Sequence, residues 1–299
     1  MKAILDNKLL QALAAIVKEQ SFERAAASIF ITQSAISQRI KQLEQEVSQP
    51  VLIRTTPPKA TEVGKKLISH FYQVEQLENN LKQEIFPDEQ SVPLTVHLAT
   101  NADSLATWLI PALSPVLKKN LVELNLQISD EQYTIERLRD GEVFGAITLE
   151  NKSIKGCQST LLGEFKYVLV SSPEFKQRYF SKGLTPETLK SAPSVAFDQR
   201  DNMHITFMQQ QYGLNKGDYP LHTVRSSEAF VMLAKTGAAC CFVAEFQIES
   251  ELQSGELIDL LPNVKLTKQL YWQRWALLKG VHQEISEAII TNGQTALQR

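Results

Sequence analysis

Cysteine is scarce, with three in 299 residues and two of them adjacent. Three thiols cannot build a disulfide framework, and they suit a reducing compartment. No apolar run approaches the roughly 20 residues that a membrane-spanning helix needs. The N-terminal MKAILDNKLLQ puts Asp6, Asn7 and Lys8 where a secretory leader has its apolar core, which predicts a cytoplasmic protein. Histidines stand at 70, 97, 204, 222 and 282, without metal-ligand spacing. GxSxG, P-loop, HExxH and glycine-rich nucleotide fingerprints are all missing, so the expectation is no enzyme and no cofactor. There is no internal repeat and no low-complexity tract. The 43% apolar and 21% charged composition is globular, and the length suits two or three domains.

The net charge of −2 conceals an asymmetry. Residues 1–66 hold ten Lys and Arg against six Asp and Glu, while the remainder holds 21 against 27. A basic head on an acidic body suggests a polyanion partner for the head alone.

The head reads as three helices. Leu9, Leu10, Leu13, Ile16 and Val17 fall on one helical face over residues 6–18. Ser21 is placed to cap a second helix, FERAAASIF, whose Ala25, Ala26 and Ala27 permit close helix approach. A third helix is predicted from Gln33 to Val47. It turns Ile36, Ile40, Leu43 and Val47 inward and presents Ser34, Ser37, Gln38, Lys41 and Gln45, with no acid, on the opposite face. VLIRT and KATEV around Thr56-Pro57-Pro58 read as a two-stranded wing. Short hydroxyl and amide side chains lie close in a major groove and bond base edges. The candidate groove readers are therefore Gln33, Ser34, Ser37 and Gln38. Lys41 suits a phosphate, and Arg54 and Lys59 on the wing suit the backbone or minor groove. A solvated polar helix face is the competing explanation. The ordered succession of helix-turn-helix, wing and long helix argues against it.

Residues 62–86 carry Leu67, Phe71, Val74, Leu77, Leu81 and Ile85 at near-heptad spacing, which predicts a long helix pairing with its copy. Residues 87–93 read as a hinge. From Leu94 onward LTVHLA, VELNLQI, FGAIT, YVLVSS, SVAF and AACCFV read as strands alternating with helices, an α/β fold with mainly parallel sheets. Ligands of such folds sit at strand carboxyl ends and lobe interfaces. Asn101, Asp103 and Ser104 follow the first strand. Asp198 and Asp201 follow SVAF, and Ser226, Ser227 and Glu228 open another helix. The acids among them suit a cationic ligand, and equally suit helix capping. Cys240 and Cys241 read as core strand, His204 as a surface helix residue, and Tyr271, Trp272 and Trp275 as packing on a returning strand.

The segments SFERAAASIFITQSAISQRIKQLEQEV, PVLIRT and TEVG resemble the DNA-binding domain of LysR-type transcriptional regulators. ITQSAISQRIKQLE, RTTPPKATEVG, NADSLATWLIPAL, VAFDQRDNMH, SSEAFVMLA and SGELIDL extend the resemblance along the chain, to the ArgP subgroup. The wing departs from many members in Ala60-Thr61 and the double Pro57-Pro58. The resemblance implies a mainly α winged helix-turn-helix over 1–61, a dimerising linker helix over 62–86 and a hinge over 87–93. It further implies a two-lobed, periplasmic-binding-protein-like α/β sensor over 94–299, with one lobe from 94–166 and 270–299 and the other from 167–269. It implies lysine or arginine as effector, an operator DNA partner, a homodimer or homotetramer, contact with RNA polymerase and a place on the nucleoid. The alternative is a non-specific architectural DNA-binding protein of the chromosome-replication-inhibitor type, whose second domain is vestigial or senses something else.

Overall fold

In the N-terminal unit, α1 (Asn7–Glu19) starts at Asp6, whose carboxylate accepts from the Lys8 amide at 2.8 Å. The helix buries Leu9, Leu10, Leu13 and Ile16. Ser21 caps α2 (Phe22–Ser28), and Ala25 and Ala26 on that helix are buried, small enough for close packing. Thr32 caps α3 (Gln33–Val47), which buries Ile36, Ile40 and Leu43. The wing is an antiparallel pair, β1 (Leu52–Ile53) and β2 (Lys59–Ala60). These are the coordinates of a computed structural model, and they describe residues 5–86, 93–119, 121–129, 134–198 and 202–297. The hinge residues 87–92 and Asp201 lie outside the described residues.

Thr61 caps α4 (Glu62–Ile85) by accepting from the Gly64 amide, and its hydroxyl donates to the Pro50 carbonyl at 2.9 Å. The near-heptad stripe of this helix is divided between two environments. Leu67 and Phe71 are buried in the same apolar core as α1, α3 and β1. Only farther along does the stripe emerge, at Leu77, Leu81 and Ile85. The stripe expected to pair with a copy is therefore shortened: α1 packs along the start of α4 and takes up Leu67 and Phe71.

The C-terminal part is built on a seven-stranded sheet ordered β10-β6-β11-β5-β3-β4, with β9 also paired to β6. Its strands are β3 (Leu94–Thr100), β4 (Val122–Ile128), β5 (Gly145–Thr148), β6 (Cys157–Ser171), β9 (Cys241–Ala244), β10 (Ile258–Asp259) and β11 (Leu266–Trp275). A separate parallel pair joins β7 (Ser194–Ala196) to β8 (Leu221–Thr223). Within the large sheet only β3 with β4 and β3 with β5 are parallel, and the other pairings are antiparallel. This overturns the expectation of mainly parallel pairing. The cause is the pair of long strands: β6 carries the chain outward along its 15 residues and β11 brings it back alongside, so they must run opposite ways.

Helices cover the sheets. After β3 the chain forms α5 (Ala102–Ser104), one π-helical stretch (Leu105–Leu109) and α6 (Ile110–Lys119) without interruption. The remaining helices are α7 (Thr134–Arg139), α8 (Pro173–Phe180), α9 (Pro186–Leu189), α10 (Asn202–Tyr212), α11 (Ser227–Lys235), α12 (Glu249–Ser254) and α13 (Gly280–Leu297). Trp272 and Trp275 are buried on β11, and the Trp272 indole donates to Ser286 Oγ of α13 at 2.9 Å. Cys240 and Cys241 are fully buried in and beside β9, and burial pushes the Cys240 thiol up to about 11. His204 is not on the surface. It is buried between Tyr219 and Phe242, because it lies one helical turn before buried Phe207, whose ring also meets Phe242 of β9. Among the described residues, no helix is long and apolar enough to cross a membrane.

Candidate DNA-reading surface and effector cleft

Gln33, Ser34, Ser37, Gln38 and Lys41 are all exposed; the last four lie on the side of α3 away from buried Ile36, Ile40 and Leu43, and Gln33 stands at the start of the helix. Thr32 Oγ1 accepts from the Ala35 amide at 3.2 Å and lies 3.0 Å from Ser34 Oγ. Ser37 Oγ donates to the Gln33 carbonyl at 2.9 Å. These bonds fix the hydroxyls close to the helix and leave their lone pairs for an outside donor. A groove of about 490 Å³ runs between α3 and the wing, lined by Gln33, Ser37, Arg54, Thr55 and Pro58 together with Ser21 of α2. Arg54 is 3.8 Å from Glu44 with its side chain 76% exposed, a pair weak enough to open toward phosphate. Lys59 is exposed on β2. The structure thus brings helix and wing residues to one polar, cation-bearing surface.

The second candidate site lies at the carboxyl end of β3. Asn101 and Ser104 are buried, and their side-chain polar atoms have no hydrogen-bond partner among the described residues. An unsatisfied buried polar group costs roughly 1–3 kcal/mol, so the pair makes this strand end a candidate place for a polar ligand. Asp103 lies between them in sequence and reaches the other half of the domain. Tyr167 on β6 donates to Asp103 Oδ2 at 2.6 Å, and Ser227 at the start of α11 donates to Oδ1 at 2.5 Å. Gln247 reaches the same Ser227 hydroxyl at 2.8 Å. Asp103 therefore ties the end of β3 to β6 and α11.

The other sequence candidates separate. Ser226 caps α11 through the Ala229 amide and bonds Glu228 at 2.9 Å, so these two build the first turn that presents Ser227. Asp198 pairs with Arg225 at 3.4 Å. Both arrangements sit at the same end of the second half as Ser227, and both give these residues a local structural job.

Residues 7–65 match the model for bacterial regulatory helix-turn-helix proteins of the lysR family, and residues 89–282 match the LysR substrate binding domain. The chain belongs to the LysR family of transcriptional regulators. Among the similar proteins is the HTH-type transcriptional regulator ArgP of Aeromonas salmonicida, 53% identical over 298 residues that cover 100% of this chain and 99% of that protein. The regulator of the same name from Photobacterium profundum is 50% identical and covers 98% of each chain. Two solved structures are similar along nearly the whole length. The crystal structure of ArgP from Mycobacterium tuberculosis has a TM-score of 0.83 at 32% identity, covering 97% of this chain and 98% of that one. Full-length LysG from Corynebacterium glutamicum, with arginine bound as effector, has a TM-score of 0.80 at 29% identity with the same coverage.

In this LysR-family regulator the sequence named Ser227 only as one of the residues that open α11, and it did not single out Tyr167 or Gln247. Tyr167 reads as one more apolar residue of a core strand, and Gln247 sits in a short 3-10 turn, Glu245–Ile248. The legible signal was the doubled serine: one caps α11, and the next, a helical step further round, is buried and free to face Asp103.

Proposed function

We propose that this regulator reads operator DNA as a homodimer or homotetramer and senses a basic amino acid, lysine first and arginine second, between the two halves of its effector domain. The observation that carries the reading is the Asp103 carboxylate, held across those halves by Tyr167 and Ser227 beside the unpartnered Asn101 and Ser104. A free amino acid brings an α-carboxylate and an α-ammonium, and a basic one adds a distal cation. Asn101, Ser104 and the backbone amides opening the helical run 102–119 supply donors to the carboxylate. Asp103 is the acid for an ammonium. Asp198, Asp201 and Glu228 are the further acids that this reading assigns to the distal cation, Asp198 and Glu228 by exchanging their present partners Arg225 and Ser226. The arginine held by LysG favours this ligand class.

The boundaries that go with this reading place the DNA-reading unit at 1–61, the dimerising helix at 62–86 and the hinge at 87–93. The sensor halves are 94–166 with 270–299, and 167–269, meeting along β6 and β11. The working place is the cytoplasmic nucleoid, and RNA polymerase is the further partner. Calorimetry tests the effector reading directly. Saturable binding of lysine or arginine to the intact protein is expected, and no binding of either sinks it.

A further inference from the structure

The helix α4 has a third face, beside the one buried in the N-terminal core and apart from the exposed stripe. Lys65, Ser69 and Tyr72 follow one another at spacings of four and three, so they share one side of the helix. All three meet the turn after α7. Lys65 Nζ is 3.0 Å from Asp140 Oδ1, with both side chains largely covered at 33% and 25% exposure. Gly141 sits so close to Ser69 that a Cβ built on it would come 2.4 Å from Ser69 Cα. Tyr72 packs against both large apolar clusters, that of the N-terminal unit and that of the effector domain. Glu142 follows in the same turn, and it and Glu75 surround the Tyr72 hydroxyl with negative charge.

We propose that the Lys65–Ser69–Tyr72 face of α4 is a docking surface for the Asp140–Gly141 turn of the same chain, and that this contact fixes how the DNA-reading unit is aimed. It is narrow. Beside it lies a cavity of about 1820 Å³ with Lys18, Glu75 and Gln76 on one wall and His97, Glu123 and Asp140 on the other. A small interlock next to open space is a pivot about which the reading unit has room to tilt. The helix that carries the turn also reaches the effector end of the sheet. At its start Thr134 Oγ1 donates to the Ile147 carbonyl at 2.5 Å, near the carboxyl end of β5, and β5 runs parallel beside β3 toward Asn101. Thus α7 has one end near the candidate cleft and the other on α4. Transmission of an effector signal along it rests on the sensing reading above; the docking itself does not.

Charge reversal without any amino acid present tests the docking. Lys65→Glu and Asp140→Lys should each weaken binding to captured operator DNA with two half-sites by roughly fivefold or more, leave binding to a one-half-site duplex unchanged, and raise amide exchange over residues 65–76. The double reversal should recover both affinity and protection. A second pair of variants removes the charge question. Gly141→Ala and Gly156→Ala both place a side chain at positive φ, +76° and +83°, but only Gly141 has a neighbour within 4 Å. Loss of two-half-site binding in Gly141→Ala and not in Gly156→Ala supports docking. Single reversals with no effect, a double reversal no better than the worse single, equal losses on both duplexes, or equal behaviour of the two glycine variants would each overturn it. None of these readouts uses lysine or arginine, so a failed sensing assay leaves them intact.

Discussion

Ser227 Oγ donates to Asp103 Oδ1 at 2.5 Å across 124 positions of sequence, joining the start of α11 to the end of β3. This bond makes Asp103 the first residue to test for effector binding. Removing one partner of a buried, hydrogen-bonded charge pair costs roughly 2–5 kcal/mol, and more than tenfold in affinity. Asp103→Asn keeps the shape and deletes the charge, so it should abolish calorimetric binding of lysine and arginine. Ligand-free operator binding should stay near wild type, because the groove-facing surface is on α3 and the wing. Ser227→Ala and Tyr167→Phe remove single donors and should weaken the amino acid by a smaller factor. Wild-type affinity in Asp103→Asn takes that carboxylate out of the site.

What was legible in the sequence followed local chemistry. The three-helix head, its cap at Ser21 and the bounds of α3 all come from short-range signals, and the structure places them within about two residues. The first half of β6 was hidden because the adjacent Leu161 and Leu162 and then Gly163 break the alternation that would mark a strand. The helix α13 was hidden because its buried face includes His282, Ser286 and Gly293, which dilute the apolar period. The clasp on Asp103 depends on residues 64 and 124 positions away, brought near only by the outward and returning strands. No local pattern encodes such a closure.

The polar face of α3 predicts a division of labour between base and backbone contacts. Gln38 is exposed on that face, one helical step beyond Ser34 and Ser37. Gln38→Ala should cost roughly 1–3 kcal/mol at the operator and relax preference at one base pair. Arg54→Ala should weaken binding to all sequences alike and lower the salt slope by about 1. Electrophoretic or fluorescence titrations at several salt concentrations separate the two. Unchanged operator selectivity in Gln38→Ala rejects its base-reading role.

The emerging half of α4 predicts self-association. Leu77, Leu81 and Ile85 are 36%, 54% and 57% exposed, one above another along the helix. A continuous apolar stripe of this kind on a monomer invites association, and a two-fold pairing would also set two α3 helices on related half-sites. Leu77→Asp with Leu81→Asp should dissociate the oligomer and reduce operator binding while leaving the buried Leu67 and Phe71 contacts in place. Sedimentation checks it. A folded wild-type monomer at micromolar concentration contradicts the pairing.

The last prediction concerns acid. His204 is wholly buried, neither ring nitrogen has a partner among the described residues, and burial holds its pKa down to about 4. His282 is lowered to about 4 as well, first by burial and then by the nearby His97. A histidine whose folded pKa lies below its unfolded value of 6.5 takes up a proton more readily when the chain unfolds. Between those two values the unfolded state binds more protons, so stability rises with pH, and it is lost as pH falls from about 6.5 toward 4. Each such histidine contributes a slope of up to about 1.4 kcal/mol per pH unit. His204→Phe removes one of the two and replaces an unsatisfied polar ring with an apolar ring between Tyr219 and Phe242. At pH 7 it should change stability little or raise it. Between pH 6 and pH 4.5 it should make the decline shallower by up to one proton's worth. Urea denaturation at pH 7, 6, 5 and 4.5 measures both. An identical slope in the variant and the wild type means that His204 is already protonated in the folded protein, and that its burial does not hold it neutral.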